Sequence, residues 1–133
     1  MLRGKSILII DDDPGMLRAL DKVLTGEGAV VISAAWAGDA IEILTARQAR
    51  IDLVITDLRM PILTGMTVVY AIHEVFPELP VIVLTAAGSP AVKAECLRQG
   101  AAAFLEKPLN TAQLLNAIGC VFAPHKTSPL ASS

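Results

Sequence analysis

The sequence predicts an α/β fold: a doubly wound, five-stranded parallel sheet flanked by five helices. Five short apolar runs alternate along the chain with segments whose apolar residues recur every three or four positions. The runs are typical of buried strands and the spaced segments of amphipathic helices. Strand–helix units in series form parallel sheets with right-handed crossovers, and 133 residues suffice for one such domain.

The apolar runs have the length and composition of strands in the interior of a sheet. Residues 7–10 are four consecutive aliphatic residues, which favours a strand covered on both faces. The predicted strands are residues 7–10, 30–34, 53–56, 81–84 and 103–105.

The helices are indicated by apolar spacing and by start and stop signals. The first begins near Pro14, the fourth begins at Ser89 and ends at Gly100, and the fifth begins at Asn110 with Gln113 in capping-box spacing. The positions with helical spacing are Leu17, Leu20 and Leu24, then Ala40, Ile43 and Leu44, then Val68, Val69, Ile72 and Val75, and finally Leu114, Leu115 and Ile118.

Composition and charge narrow the class of protein. A formal net charge of −2 gives no electrostatic case for contact with nucleic acid or a membrane. No signal peptide or membrane span fits the sequence, so we expect a cytoplasmic protein. Cys96 and Cys120 fall in predicted helices and are interpreted as reduced packing residues. We predict one domain over residues 1–122 and a flexible tail or linker over residues 123–133.

Three consecutive carboxylates, Asp11, Asp12 and Asp13, directly follow the first predicted strand. Ionised acids crowded at a strand end repel one another and are costly to desolvate, so a positive partner such as a divalent cation is expected. Capping of the helix that begins near Pro14 is the alternative, since Asp before a proline-initiated helix is a common start signal. These three residues alone leave both interpretations open.

Polar residues also follow the other strands. Asp57 comes directly after the third strand, Thr85 ends the fourth, and Lys107 follows the fifth. Ligands bind at the carboxyl ends of parallel strands, so we expect these groups and the acids to converge at one rim. The second strand instead leads to Trp36, interpreted as a packed aromatic, with a shield of the site or a partner contact as alternatives.

Together these segments resemble the receiver domain of response regulators in bacterial two-component signalling. The resemblance covers nearly the whole chain except its tail, and the ordered set of motifs is far more specific than any one of them. It implies a CheY-like, flavodoxin-like fold. The matching segments are residues 7–14, Asp57-Leu58-Arg59-Met60-Pro61 with Gly65 after it, Leu84-Thr85-Ala86, and Gly100-Ala101 leading to Phe104-Leu105-Glu106-Lys107-Pro108.

The resemblance implies a signalling domain, not an enzyme with a separate substrate. Asp57 would be the phosphoacceptor, receiving a phosphoryl group from a sensor histidine kinase or a histidine phosphotransfer protein. Asp11, Asp12, Asp57 and the backbone carbonyl of Arg59 would hold Mg²⁺, with Asp11 acting mainly through a bound water. Asp13 falls outside this set and is expected to cap the helix.

The resemblance also implies residues for switching and for loss of the phosphoryl group. Lys107 would bind the phosphoryl oxygens, and Thr85 and Phe104 would move together after phosphorylation. Arg59 and Ala87 occupy the positions that tune hydrolysis. Neither carries an acid or amide to orient water, so we expect slow self-dephosphorylation. The downstream target or output domain is not indicated by this sequence.

Two alternative functions use part of the same evidence. Haloacid dehalogenase-like phosphatases also combine an Asp nucleophile with Mg²⁺, and Asp11 and Asp13 fit their Asp-x-Asp signature superficially. Pro14-Gly15 follows, where those phosphatases have an x-Thr or x-Val pair after the Asp-x-Asp signature. The chain is also short for that fold. A degenerate receiver, serving only as an interaction module, is disfavoured by the complete set of acids, Thr85 and Lys107.

Overall fold

The computed structural model describes residues 2–47, 50–58, 65–86 and 88–123 and confirms the predicted alternation of strands and helices. The strands are β1 Ser6–Ile10, β2 Val30–Ala34, β3 Leu53–Thr56, β4 Val81–Thr85 and β5 Ala103–Glu106. The helices are α1 Pro14–Gly26, α2 Ala37–Arg47, α3 Gly65–Val75, α4 Pro90–Arg98 and α5 Thr111–Phe122.

The strands form one parallel sheet in the order β2-β1-β3-β4-β5. The predicted fold class is therefore correct. The chain first moves from β1 to β2 on one side and then returns to β3 on the other, so the strand order reverses next to β1. A reversal of this kind opens a crevice at the carboxyl ends of the strands, which is where α/β proteins bind ligands.

The sheet separates two apolar layers. Side chains alternate along each strand, so Ile7 and Ile9 pack with α1 and α5, whereas Leu8 and Ile10 pack with α2, α3 and α4. The central strands are buried on both faces, as their continuous apolar runs predict.

The predicted start signals are confirmed at three helices. The side chains of Asp13, Ser89 and Asn110 each accept a backbone N–H bond from the first turn of α1, α4 and α5, at 2.9, 3.1 and 2.9 Å. The stop signal at Gly100 is also present, since this glycine adopts φ +112° just beyond α4.

Some details differ from the predictions. Cys96 and Cys120 are both free thiols, but only Cys96 is buried. Cys120 is exposed, so its interpretation as a packing residue is wrong. Val75 keeps helical spacing yet is 66% exposed at the end of α3. Among the described residues, no helix is long and apolar enough to cross a membrane.

Candidate functional site

Three of the predicted site residues are fixed by the same backbone device. Asp11, Asp57 and Lys107 are each the first residue after a strand, and each donates its backbone N–H to the neighbouring strand. Their acceptors are the carbonyl oxygens of Ala34, Ile10 and Thr85, at 3.1, 3.0 and 2.9 Å. The ladder therefore continues one residue past each strand and sets the direction in which the three side chains leave the sheet.

The side chains of these residues meet at the rim. The ammonium nitrogen of Lys107 lies 2.9 Å from Oδ2 of Asp11 and 3.2 Å from Oδ2 of Asp57. Asp11 and Asp57 are 2% and 6% exposed. One cation thus bridges two buried carboxylates that come from different strands, and its removal would leave both uncompensated.

Backbone amides hold the remaining oxygens of the two carboxylates. Oδ1 of Asp57 accepts the N–H of Leu58 at 2.6 Å, and Oδ1 of Asp11 accepts the N–H of Asp13 at 2.9 Å. The sequence reasoning missed both contacts, because every residue type except proline can donate a backbone N–H. Each carboxylate is consequently oriented at both of its oxygens.

Burial and charge act differently on the two sides of this bridge. Burial raises the pKa of the Asp11 carboxyl above its ordinary value, and the contacts with Lys107 and the Asp13 amide offset this only in part. Burial alone would lower the pKa of the Lys107 ammonium. The hydrogen bonds and charges of Asp11 and Asp57 outweigh that effect, so the Lys107 pKa lies above its usual value. The lysine therefore remains a cation at this site.

Asp12 completes an acidic cluster on the solvent side. Asp11, Asp12 and Asp57 each offer a carboxylate oxygen, and these oxygens all lie within 4.8 Å of one another. Asp12 is exposed, and its carboxylate has no hydrogen-bonding partner in the part of the chain that the structure describes. Oxygen ligands grouped in this way, with one side open to water, suit a hard divalent cation.

Asp13 is separate from this cluster. Its carboxylate accepts the N–H of Gly15 at 2.9 Å and caps α1, as predicted. The three consecutive acids therefore divide into two members of the cluster and one helix cap.

Thr85 and Phe104 lie toward the β5 edge of the sheet. Thr85 is fully buried at the end of β4. Phe104 is half-buried and packs against the core layer under α4, while it also lines a surface cavity of about 640 Å³ with Pro90 and Lys93. Its ring therefore contacts both the core and solvent. Arg59 and Ala87, the predicted dephosphorylation-tuning positions, lie outside the described residues, as does the predicted Arg59 carbonyl ligand.

Comparison with known proteins gives one consistent result. Residues 7–119 match the family described as response regulator receiver domain. The transcriptional regulatory protein GlrR of Escherichia coli is 40% identical over 112 residues, covering 84% of this chain and 25% of that protein. The C4-dicarboxylate transport transcriptional regulatory protein DctD of Pseudomonas aeruginosa is 36% identical over 113 residues, covering 84% and 24%. The chain thus spans about a quarter of the length of these relatives.

Solved structures agree with the sequence comparisons. A response regulator receiver domain protein from Clostridium thermocellum superposes with a TM-score of 0.83 at 32% identity, covering 88% of this chain and 93% of that one. A CheX–CheY–BeF3–Mg²⁺ complex from Borrelia burgdorferi contains a chain with a TM-score of 0.87 at 31% identity, covering 90% of each. The similarity therefore extends over the whole sheet and its helices.

Proposed function

This chain belongs to the response regulator receiver domain family, and we propose that it receives a phosphoryl group on Asp57 from a histidine kinase or a histidine phosphotransfer protein. It is a signalling domain and not an enzyme in the usual sense.

The observation that carries the proposal is the bridge from Lys107 to Asp11 and Asp57. A lysine held at 3.2 Å from a carboxylate is positioned to contact oxygens of a phosphoryl group added to that carboxylate. Phosphoryl transfer depends mainly on positioning and on stabilisation of charge, so a fixed cation beside the nucleophile supplies a large part of what is needed.

Asp57 is the proposed nucleophile, as the resemblance to receiver domains implies. It lies between the Lys107 ammonium and the Leu58 amide, which together fix its orientation. One carboxylate oxygen attacks phosphorus, the bond from phosphorus to the donor imidazole nitrogen breaks, and an acyl phosphate forms. Lys107 can then contact the phosphoryl oxygens, while the carbonyl oxygen of Asp57 continues to accept the hydrogen bond from the Leu58 N–H.

The acidic cluster fits Mg²⁺ by the chemistry of its donors. Asp11, Asp12 and Asp57 offer only oxygen atoms, and Asp12 is open to water, as a cation that retains several waters requires. When bound, Mg²⁺ would offset the negative charge of the carboxylates and the phosphoryl group. The Lys107 contact to Asp11 supports a less direct role for Asp11 than for Asp12. The similar Borrelia burgdorferi complex contains Mg²⁺ and BeF3, which supports this assignment.

Thr85 and Phe104 are the proposed switching residues. Thr85 ends β4, and its carbonyl accepts the Lys107 amide at 2.9 Å, so the end of β4 is tied to the residue that contacts Asp57. A shift of Thr85 toward a phosphoryl group would change the space available to the Phe104 ring. Phe104 lines the cavity beside α4, into which its ring could move.

The output acts through protein contacts or through a further domain. GlrR and DctD are named as transcriptional regulatory proteins, and this chain matches only a quarter of each. We propose that this domain itself contacts neither nucleic acid nor a membrane, and that residues 123–133 form its tail or a linker. A cytoplasmic location stays a prediction.

The test uses acetyl phosphate as a donor that needs no protein partner. We expect the chain to gain one phosphoryl group, about 80 Da by intact mass, in the presence of MgCl2 and none in excess EDTA. Asp57→Asn should abolish the gain, while Asp13→Asn, in a neighbouring acid that only caps α1, should leave it intact.

A substitution of Asp11 and an assay of phosphate-monoester hydrolysis, added to the variants above, separate the alternatives. A haloacid dehalogenase-like phosphatase would lose function on substitution of Asp11 and would hydrolyse a phosphate monoester, which we do not expect here. A degenerate receiver would show no gain in mass under any of these conditions. Phosphorylation of Asp57→Asn to the wild-type level would refute the assignment of the acceptor.

A further inference from the structure

A half-exposed tryptophan stands where the second helix begins. Trp36 is 47% exposed, and its backbone carbonyl accepts the N–H of Ala40 at 3.2 Å, so it occupies the N-cap position of α2. Because β2 lies beside β1 in the sheet, the turn that carries Trp36 flanks the acidic pair Asp11 and Asp12 at the rim. The interpretation of Trp36 as a merely packed aromatic is therefore wrong.

Helix stability does not explain this residue. Asp13, Ser89 and Asn110 cap their helices with a side-chain oxygen that accepts a backbone N–H. An indole has no such acceptor, so α2 begins without this stabilisation. Exposure of half of a large aromatic surface to water adds to the cost.

Gly38 adapts the helix to the ring. A Cβ atom on Gly38 would lie 2.4 Å from Cζ3 and 2.6 Å from Cη2 of Trp36, so only glycine admits the indole in this position. Glycine is a poor helix former, and here it stands in the first turn of α2. Three contributions to stability are therefore missing at this turn: a side-chain cap, a good helix former and full burial of the indole. This pattern is expected where a side chain serves binding and not folding.

We propose that Trp36 is an anchor for the protein that donates the phosphoryl group, and that the indole packs against the donor surface around its phosphohistidine. This inference rests on the proposed function. Asp57 is 6% exposed, so a phosphohistidine must be brought down onto the rim, and its carrier protein must cover the surrounding turns. Tryptophan is enriched among residues that dominate the binding energy of interfaces.

The position of Trp36 favours the donor over a downstream target. β2 and β5 are the two edges of the sheet, so Trp36 and Phe104 lie on opposite sides of the site. A target that detects phosphorylation must contact the part that moves, which we place at Phe104. A donor must bind before phosphorylation, and it is better served by a residue outside that part.

The experiment compares two donors that both transfer from nitrogen. Phosphoramidate needs no protein contact. The protein donor is chosen from a panel of autophosphorylated histidine kinase portions from the same genome. It is the one that transfers its phosphoryl group to the wild-type chain fastest. For Trp36→Ala we expect loading from phosphoramidate to stay within about twofold of wild type, while kcat/KM for transfer from the kinase falls about tenfold or more. Trp36→Phe should restore part of the loss.

Two further variants keep the result independent of folding. Tyr70→Ala removes another exposed aromatic, 52% exposed on α3, and should leave both reactions unchanged. Gly38→Ala retains the indole but displaces it, and should reduce transfer from the kinase without reducing loading from phosphoramidate.

Other outcomes contradict the inference in distinct ways. Equal losses with both donors would assign Trp36 to the chemistry of the site, and unchanged transfer in Trp36→Ala would leave it no role in the donor contact. Loss of self-association with unchanged transfer would assign the residue to a second copy of this chain. Failure of every kinase with a chain that phosphoramidate loads would also overturn it. Failure of phosphoramidate with the wild-type chain would instead count against the proposed function.

Discussion

The strands that carry the carboxylates and the strand that carries the lysine are packed very differently. The last four residues of β1 and all four of β3 are buried, and they lead to Asp11 and Asp57. No residue of β5, which leads to Lys107, is fully buried, and α4 beside it buries only Cys96. The acidic groups thus follow densely packed central strands, while the cation and Phe104 belong to a less buried edge, where local opening costs less.

Substitutions in the two regions provide the largest test of this contrast. Ile55→Ala, in β3 at 1% exposure, should lower the free energy of unfolding by about 3 kcal/mol because it leaves a cavity in the core. Leu105→Ala, in half-buried β5, should cost about 1.5 kcal/mol. Urea denaturation measures both values. Equal costs would contradict the proposed difference in packing.

Lys107 is the side chain that joins the two regions. Lys107→Met keeps most of the side-chain volume but removes the cation between Asp11 and Asp57. We expect the rate of Asp57 loading from acetyl phosphate to fall about a hundredfold, equivalent to about 2.7 kcal/mol in the barrier. Intact mass against time measures the rate. A fall of less than twofold would show that the lysine does not stabilise the reacting phosphoryl group.

Hydrogen exchange should resolve the same contrast without a substitution. Amides of β1 and β3 should exchange at least about tenfold more slowly than those of α4, a difference of about 1.4 kcal/mol in opening free energy. Mass spectrometry of peptic fragments from the unphosphorylated chain gives these rates. Protection of α4 equal to that of β3 would argue against an edge that opens separately.

The smallest expected effect comes from the acid that the structure separates from the site. Asp13→Ala removes the cap of α1 and should lower the free energy of unfolding by about 1 kcal/mol. Loading of Asp57 should stay within about twofold of wild type. Ser89→Ala is a matched loss of a cap on α4 and should cost a similar amount. A large loss of loading in Asp13→Ala, but not in Ser89→Ala, would indicate that Asp13 acts with the acidic cluster.

The amino-acid sequence was enough to predict the fold class, the five strands to within a residue at each end, and three helix starts. These features depend on local signals, namely the spacing of apolar residues and the side chains that cap helices. Such signals lie within a few neighbouring residues of the sequence. The strand-end positions of Asp11, Asp57, Thr85 and Lys107 could be predicted for the same reason.

The contacts between distant residues could be found only in the folded chain. Lys107 and Asp11 are 96 residues apart, and their contact depends on the order of the strands and on the ladder that continues past them. The hydrogen bond from the Leu58 N–H to Asp57 does not depend on the identity of residue 58, so the sequence does not indicate it. The exposure of Trp36 likewise depends on how Gly38 and the neighbouring turn pack, because burial is a property of the assembled chain and not of a segment.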